Sequence, residues 1–397
     1  MKICIVSQEY PPETGGGGIG TQSYLKAHGL VARGHAVHVL SASWDQTERE
    51  YNDGAVAVHR IAEPTLCIPG YEPSTYWLAY SSAVACKLHR LHDSIAFDII
   101  QFPEYGGEGF IYQTDTFKYR TAAFVVQLHG PLGMFAEHMG WPDIGSTLQR
   151  IGTFMESTVI HNADRVMASS HNTARFCSSH YDYPLDKIEV IHSGIELNRF
   201  SPRSGPADPR YPKLLFVGNL TGSKGISTLI DAVIRIRQQL PEIKVRAIGK
   251  GSEDYVRQLK TWIAAEGAED NFEFVGYVPY SSLPDHYAWC DAFVGPSTYE
   301  PGPGNVYLEA MASARPVIAC NTAGTPEVVR NGINGLLVAP GDAESLSGAI
   351  LQIAGDHRLR DLLGSNGRGI VEREFSFERY IDKVEAIYLA LVNENSK

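Results

Sequence analysis

Short apolar runs alternate with segments of helical period from one end of this chain to the other. Residues 2–7, 36–41, 98–101, 123–129, 165–168 and 187–191 read as buried parallel strands, being apolar on both faces rather than alternating. Helical spacing runs over 21–33, 75–91 and 145–161 between them. The Pro-rich stretch 201–212 breaks the pattern and reads as an interdomain linker. A second alternation follows, with strands expected at 214–217, 244–248, 272–275, 292–295, 316–319 and 336–338. Its first helix, 226–237, places Ile226, Leu229, Ile230 and Val233 on one face. The expected fold class is α/β, with two doubly wound domains in succession. Ligands in such folds collect at the carboxyl ends of the strands, and two facing domains imply a cleft between them.

A length of 397 residues suits two domains, and 44% hydrophobic with 20% charged residues is ordinary globular composition. No apolar run is long enough to cross a bilayer, and Met1-Lys2 leads straight into a strand, so neither a transmembrane segment nor a signal peptide is expected. The six cysteines (4, 67, 86, 177, 290, 320) lack CxxC or metal-ligand spacing, a pattern of reduced thiols in a cytoplasmic protein. The net charge of −11 argues against nucleic acid or an anionic membrane as partner. Residues 1–200 carry −7 of it, which is compatible with a neutral or cationic partner for the first half. Nothing in the sequence selects an oligomeric state.

Four stretches could carry chemistry. In Pro296-Ser297-Thr298-Tyr299-Glu300-Pro301-Gly302-Pro303-Gly304-Asn305-Val306-Tyr307-Leu308-Glu309, a strand runs through a Pro-Gly loop into a helix. Gly302 and Gly304 let the backbone approach a ligand, and the N–H groups at the new helix end, from Asn305 and Val306 on, suit an anion such as phosphate. Glu300 and Glu309 would repel that anion, so they are expected to bind hydroxyls of a sugar or ribose; a turn with two solvated glutamates is the plainer alternative. The loop from Gly218 and Asn219 to Lys224 and Gly225 leads from a strand to a helix N-terminus, with a lysine at its mouth, and suits a diphosphate. Thr14 to Thr21, with four consecutive glycines, reads as a ligand-covering loop, a long turn, or a poor dinucleotide fingerprint. His129, ending a buried strand, is expected to face the cleft, where it bonds a hydroxyl or handles a proton; a structural histidine is the alternative. Twelve of the fourteen histidines precede residue 200, yet none forms a metal-binding pattern, so no metal is expected. Paired carboxylates also suggest a glycosidase, but a hydrolase has no use for the anion-binding loops.

Together these residues resemble the retaining glycosyltransferases of family 4 (glycosyl transferases group 1), which have the GT-B fold. The likeness extends over nearly the whole chain and also includes Gly34-His35-Ala36-Val37, His129-Gly130, Val190-Ile191-His192-Ser193-Gly194, Gly276-Tyr277-Val278 and Gly324-Thr325-Pro326-Glu327. It implies two Rossmann-like domains facing across a cleft. Residues 1–205 would bind the acceptor, completed by a C-terminal helix over 377–397, and residues 206–376 would bind a nucleotide-sugar donor. By the same resemblance, Glu309 binds the ribose hydroxyls, Glu300 the transferred sugar, and Lys224 the diphosphate leaving group. His129 lies on the sugar's far side, Gly16 and Gly17 approach the donor phosphates, and backbone groups of Gly276 to Val278 read the base. Transfer would retain anomeric configuration by front-face attack, with the leaving phosphate accepting the acceptor's proton, and with neither metal nor other cofactor.

Three departures from the family pattern stand out. Eight residues rather than seven separate the two glutamates, so either the loop carries an insertion and Glu300 keeps its role, or Pro301 occupies the first acidic position. Asn219 replaces an arginine at the diphosphate, and Ser193 an asparagine. The alternatives to a working enzyme are a catalytically weakened binding or scaffolding subunit and, third, a nucleotide-sugar epimerase. Trp44, Tyr76, Phe102, Tyr105 and Trp141 are candidates for an acceptor-stacking surface or for core packing.

Overall fold

A computed structural model of the chain describes residues 1–14, 17–62, 75–116, 120–202 and 212–395. They divide into two compact units, Met1–Ser193 joined by the C-terminal stretch from Glu378, and Gly194–Phe377.

The strands of the first unit are β1 (Lys2–Val6), β2 (Ala36–Ser43), β3 (Arg49–Asp53), β4 (Val56–Ala62), β5 (Ile99–Pro103), β6 (Ala123–Leu128), β7 (Arg165–Ala168) and β8 (Ile188–Val190). They form one sheet in the order β3-β4-β2-β1-β5-β6-β7-β8, parallel except for β3. The order reverses between β1 and β5, the position where doubly wound sheets open a crevice at their carboxyl ends. The sequence pattern gave six strands here and passed over β3 and β4. These pair as a hairpin with Asp53 opposite Val56 and Gly54 at φ +61° in the two-residue turn. The polar face of β3 hides it from a search for apolar runs: Arg49, Glu50, Asn52 and Asp53 leave only Tyr51 apolar.

The second unit holds β9 (Lys213–Val217), β10 (Lys244–Ile248), β11 (Phe272–Gly276), β12 (Ala292–Gly295), β13 (Val317–Cys320) and β14 (Gly335–Val338). All six are parallel, in the order β11-β10-β9-β12-β13-β14, so the switch point lies between β9 and β12. Alternate residues serve opposite faces of the sheet. Leu214, Phe216, Ala292, Val294 and Ile318 belong to one core, while Leu215, Phe293, Val317 and Ala319 belong to the other. That double burial is why these strands read as continuous apolar runs.

The chain changes unit after Ser193, earlier than the 205/206 boundary read from the Pro-rich stretch. Residues 194–202 are held within the second unit: Ile195 bridges Ser376, Phe200 is fully buried against Tyr287, and Arg368 donates to Phe200 O at 2.8 Å. Residues 203–211 of the expected linker lie outside the described residues.

The last helix, Phe377–Asn395, packs on the first unit. Tyr388 is buried there, its hydroxyl donating to Gln101 Oε1 at 2.5 Å, and Arg165 reaches Glu394 at 2.8 Å. Among the described residues no helix is long and apolar enough to cross a membrane, and five cysteines are free thiols. Truncating Tyr388→Ala removes a buried ring and its hydrogen bond, and is expected to destabilise the first unit by about 3–5 kcal/mol, in line with other core aromatic truncations. Calorimetry of the full chain, with the half-exposed Leu389→Ala as control, checks this; equal transitions in the two variants would contradict it.

Candidate functional site

The second unit concentrates its candidate residues at the β9/β12 switch point. After β9 the chain makes one short helical turn, Gly222–Lys224, and enters the helix Ile226–Ile236 through Gly225 at φ +74°. A Cβ on Gly225 would stand 2.0 Å from the Pro296 carbonyl oxygen, so only glycine lets the loops after β9 and β12 lie this close. Thr298 N–H donates to Ser223 O at 2.8 Å and secures the approach. As a result Lys224 Nζ meets Glu300 Oε1 at 2.6 Å. The Glu300 side chain is 9% exposed and that of Lys224 32%, so the carboxylate is held inside while the ammonium keeps an open side.

The Pro-Gly loop is pinned from behind by the segment following β13. Gly324 N–H donates to Glu300 O at 2.9 Å, and a Cβ on Gly324 would collide with Gly302 and Pro301. Gly304 is the N-cap of the helix Asn305–Ala312, with no side chain capping it. The unbonded N–H groups of the first turn, at Asn305 and Val306, are therefore available to an anion. Of the two alignments of the first acidic position, the Glu300–Lys224 pair puts the carboxylate of Glu300, and not Pro301, at the lysine.

Glu309 lies one turn further along that helix, 3% exposed, accepting from the Tyr287 hydroxyl at 2.8 Å. Burial raises its carboxyl to about 7, the tyrosine hydrogen bond opposing the rise. Neighbouring loops supply backbone. Gly249, after β10, has no room for a Cβ, which would fall 1.8 Å from Gly218 O. Gly218 N–H bonds Ile248 O and Gly249 N–H bonds Gly276 O, both at 2.9 Å, so the ends of β9, β10 and β11 form one surface. Gly276 has φ +82°; there conformation, not space, demands glycine. Val278 is half-buried against the core, and the Asn219 side chain is exposed.

His129 and Gly17 belong to the first unit, and Gly16 lies outside the described residues. Gly17 is the N-cap of the helix Gly18–Ala32, and that helix end already holds a carboxylate: Glu9 Oε2 accepts Gly20 N–H at 3.2 Å. His129 is half-buried at the end of β6. Burial first, then the Lys26 ammonium, pushes its imidazole down to about 3, so the ring is neutral at physiological pH. Lys26 itself is buried, bonded to Gln101 at 2.7 Å and Gln127 at 3.2 Å, and burial brings it down to about 7. Of the aromatic candidates, Phe102 is wholly in the core, Trp44 and Trp141 are exposed, and Tyr76 and Tyr105 flank the buried Trp77.

Tyr287, Glu9, Glu104 and Glu156 were not among the residues singled out in the sequence. Glu104 carried a usable signal: Pro103-Glu104-Tyr105-Gly106-Gly107 repeats the arrangement of strand end, glutamate and glycines seen at Glu300. Tyr287 and Glu156 reach their partners only through the tertiary fold and had no such signal.

Residues 198–369 match the family described as Glycosyl transferases group 1, and residues 16–199 match Glycosyltransferase Family 4. A glycogen synthase of Mycobacterium tuberculosis is 26% identical over 98% of this chain and 95% of its own. A GDP-mannose-dependent alpha-(1-6)-phosphatidylinositol monomannoside mannosyltransferase of Mycolicibacterium smegmatis is 27% identical over 92% of each. Among solved structures, a sucrose-phosphate synthase of Thermosynechococcus elongatus superposes with a TM-score of 0.84 at 22% identity, over 99% of both chains. The fold is therefore GT-B, as the sequence implied.

The raised Glu309 carboxyl yields a stability test. The folded state binds this proton more tightly than the unfolded chain, so stability falls as pH rises from the ordinary value of 4.5 through about 7. Glu309→Gln removes that loss. The variant is expected to match the parent near pH 4 and to exceed it by roughly 3 kcal/mol at pH 8, measured by denaturant unfolding across the range. A constant difference at all pH values would contradict the assignment.

Proposed function

The chain belongs to the group 1 glycosyl transferases, and from that premise we propose that it moves a sugar from a nucleotide-sugar donor to an acceptor hydroxyl with retention of configuration. The observation that carries the reading is the Lys224–Glu300 pair beside the uncapped N-terminus of the helix Asn305–Ala312. Lys224 and the N–H groups from Gly302 to Val306 stabilise the diphosphate as it leaves, the charge that grows most in the transition state. Glu300 takes hydroxyls of the transferred sugar, and Glu309 takes the ribose hydroxyls. The backbone of Gly218, Asn219, Gly276 and Val278 lines the donor, and His129 meets the transferred sugar. A neutral His129 accepts or donates a hydrogen bond without placing a full positive charge beside an oxocarbenium-like carbon. The proton of the acceptor hydroxyl passes to the leaving phosphate, so no further base and no metal are invoked. The free thiols support a reducing, cytoplasmic setting.

Glu300 at Lys224 supports the insertion over the Pro301 alignment, which leaves Asn219 as the remaining argument for a non-catalytic member. Thermal unfolding with UDP, GDP and ADP tests the binding half of the proposal. One of them at about 100 times its dissociation constant is expected to add about 2.7 kcal/mol, a rise of several degrees. No shift with any would sink the reading; a shift without transfer to any acceptor would favour the scaffolding alternative. For catalysis, Lys224→Ala is expected to lower kcat by about 10²–10³-fold, the loss usual for a preorganised charge stabiliser, while added chelator leaves turnover unchanged. Unimpaired turnover in that variant would remove the lysine from the mechanism.

A further inference from the structure

The loop that follows β6 is held in an unusual way. Its residues His129, Gly130 and Leu132 each offer a backbone N–H, and Pro131 has none. His129 and Gly130 donate to Glu104 Oε1 at 2.5 and 2.6 Å. Leu132 donates to both oxygens of Glu156, at 3.0 and 3.1 Å. Glu156 also accepts Gly106 N–H at 3.2 Å and the Tyr181 hydroxyl at 2.5 Å, tying the turn after β5 to the same carboxylate. Close packing makes the reach possible: a Cβ on Gly152 would collide with Leu132, and one on Gly107 with Met155.

Both carboxyl groups are fully buried, and no cation is among the charges acting on them. Glu104 Oε2 has no hydrogen-bond partner. Burying two neighbouring carboxylates without a cation is unfavourable, and apolar residues of similar size would give a more stable fold. What the arrangement supplies is a fixed backbone at His129, the kind of preorganisation a functional side chain needs.

We propose that Glu104 and Glu156 are positioning residues that together take every N–H of the loop 129–132 and thereby hold the His129 imidazole in the orientation transfer requires. The functional half of this rests on the reading of His129 as a residue that meets the transferred sugar. The two carboxylates touch neither donor nor acceptor; they act through the loop.

The isosteric variants Glu104→Gln and Glu156→Gln test it in the full chain, since an amide fills the same space but is a weaker acceptor and brings a competing donor. Hydrogen exchange at single amides is expected to quicken at least tenfold at His129 and Gly130 in the first variant, and at Leu132 and Gly106 in the second. For Glu104→Gln, kcat is expected to fall tenfold or more while the donor KM stays within twofold. In a His129→Ala background the same change is expected to cost less than threefold, because its effect runs through that imidazole. Exchange at parental rates would overturn the proposal, and so would a kcat loss undiminished in the His129→Ala background. A His129→Ala chain with full kcat would remove the functional half together with the reading of His129. The exchange rates would then still decide whether the carboxylates hold the loop.

Discussion

The second unit is organised by one close approach. At Gly225 the chain passes so near Pro296 that a single methyl group would not fit, and this brings the loops after β9 and β12 into one structure. Lys224 can reach Glu300 only because of that contact. An ion pair with one partner nearly buried gains little net stability, because desolvating the carboxylate offsets most of the attraction. Its value is positional. The lysine side chain stays partly exposed, and the helix Asn305–Ala312 begins without a side-chain cap a few residues after its partner Glu300, so both features stand in place before any ligand arrives. On the proposed reading, a diphosphate would compete with one carboxylate for that lysine, and it would bring more charge than the carboxylate does.

Most of this was readable from residue order, for a physical reason. Strands buried on both faces leave uninterrupted apolar runs, and turns that must approach one another leave glycines, so β9 to β14 and the loops at Gly218, Gly225 and Gly302 announce themselves locally. The hairpin of β3 and β4 escaped because its outer strand is polar and lies at the sheet edge, though Asp53-Gly54 was a fair turn signal. The unit boundary was misplaced because proline marks where a chain bends, whereas a unit ends where its contacts end; Ile195 and Phe200 are held by residues far along the chain. Side-chain pairings were the least accessible. That Glu309 turns to Tyr287, or that Glu9 occupies the helix end beside Gly17, depends on orientations that no spacing rule supplies.

Four of this protein's glutamates fall into two kinds. Glu300 is paired with a cation whose side chain is partly exposed. Glu309, Glu104 and Glu156 are buried against neutral donors only, and burial lifts them to about 7, about 7 and about 8. A carboxyl poised in that range accepts hydrogen bonds in either protonation state, although more strongly when ionised. Such groups serve to orient what donates to them: a tyrosine hydroxyl at Glu309, and backbone amides at Glu104 and Glu156.

The two units thus prepare opposite polarities at the carboxyl ends of their sheets. In the second, glycine-rich turns and a helix N-terminus present N–H groups outward, with a lysine among them. In the first, the corresponding N–H groups are already taken by the chain's own carboxylates, at Gly20 by Glu9 and at His129, Gly130 and Leu132 by Glu104 and Glu156. N–H groups that stand without a side-chain cap in one unit have internal acceptors in the other. This follows from the residues placed after each strand rather than from the strands themselves, and it agrees with the larger share of negative charge carried by the first 200 residues. The donors at the ends of β1 and β6 are thus already occupied from within the first unit.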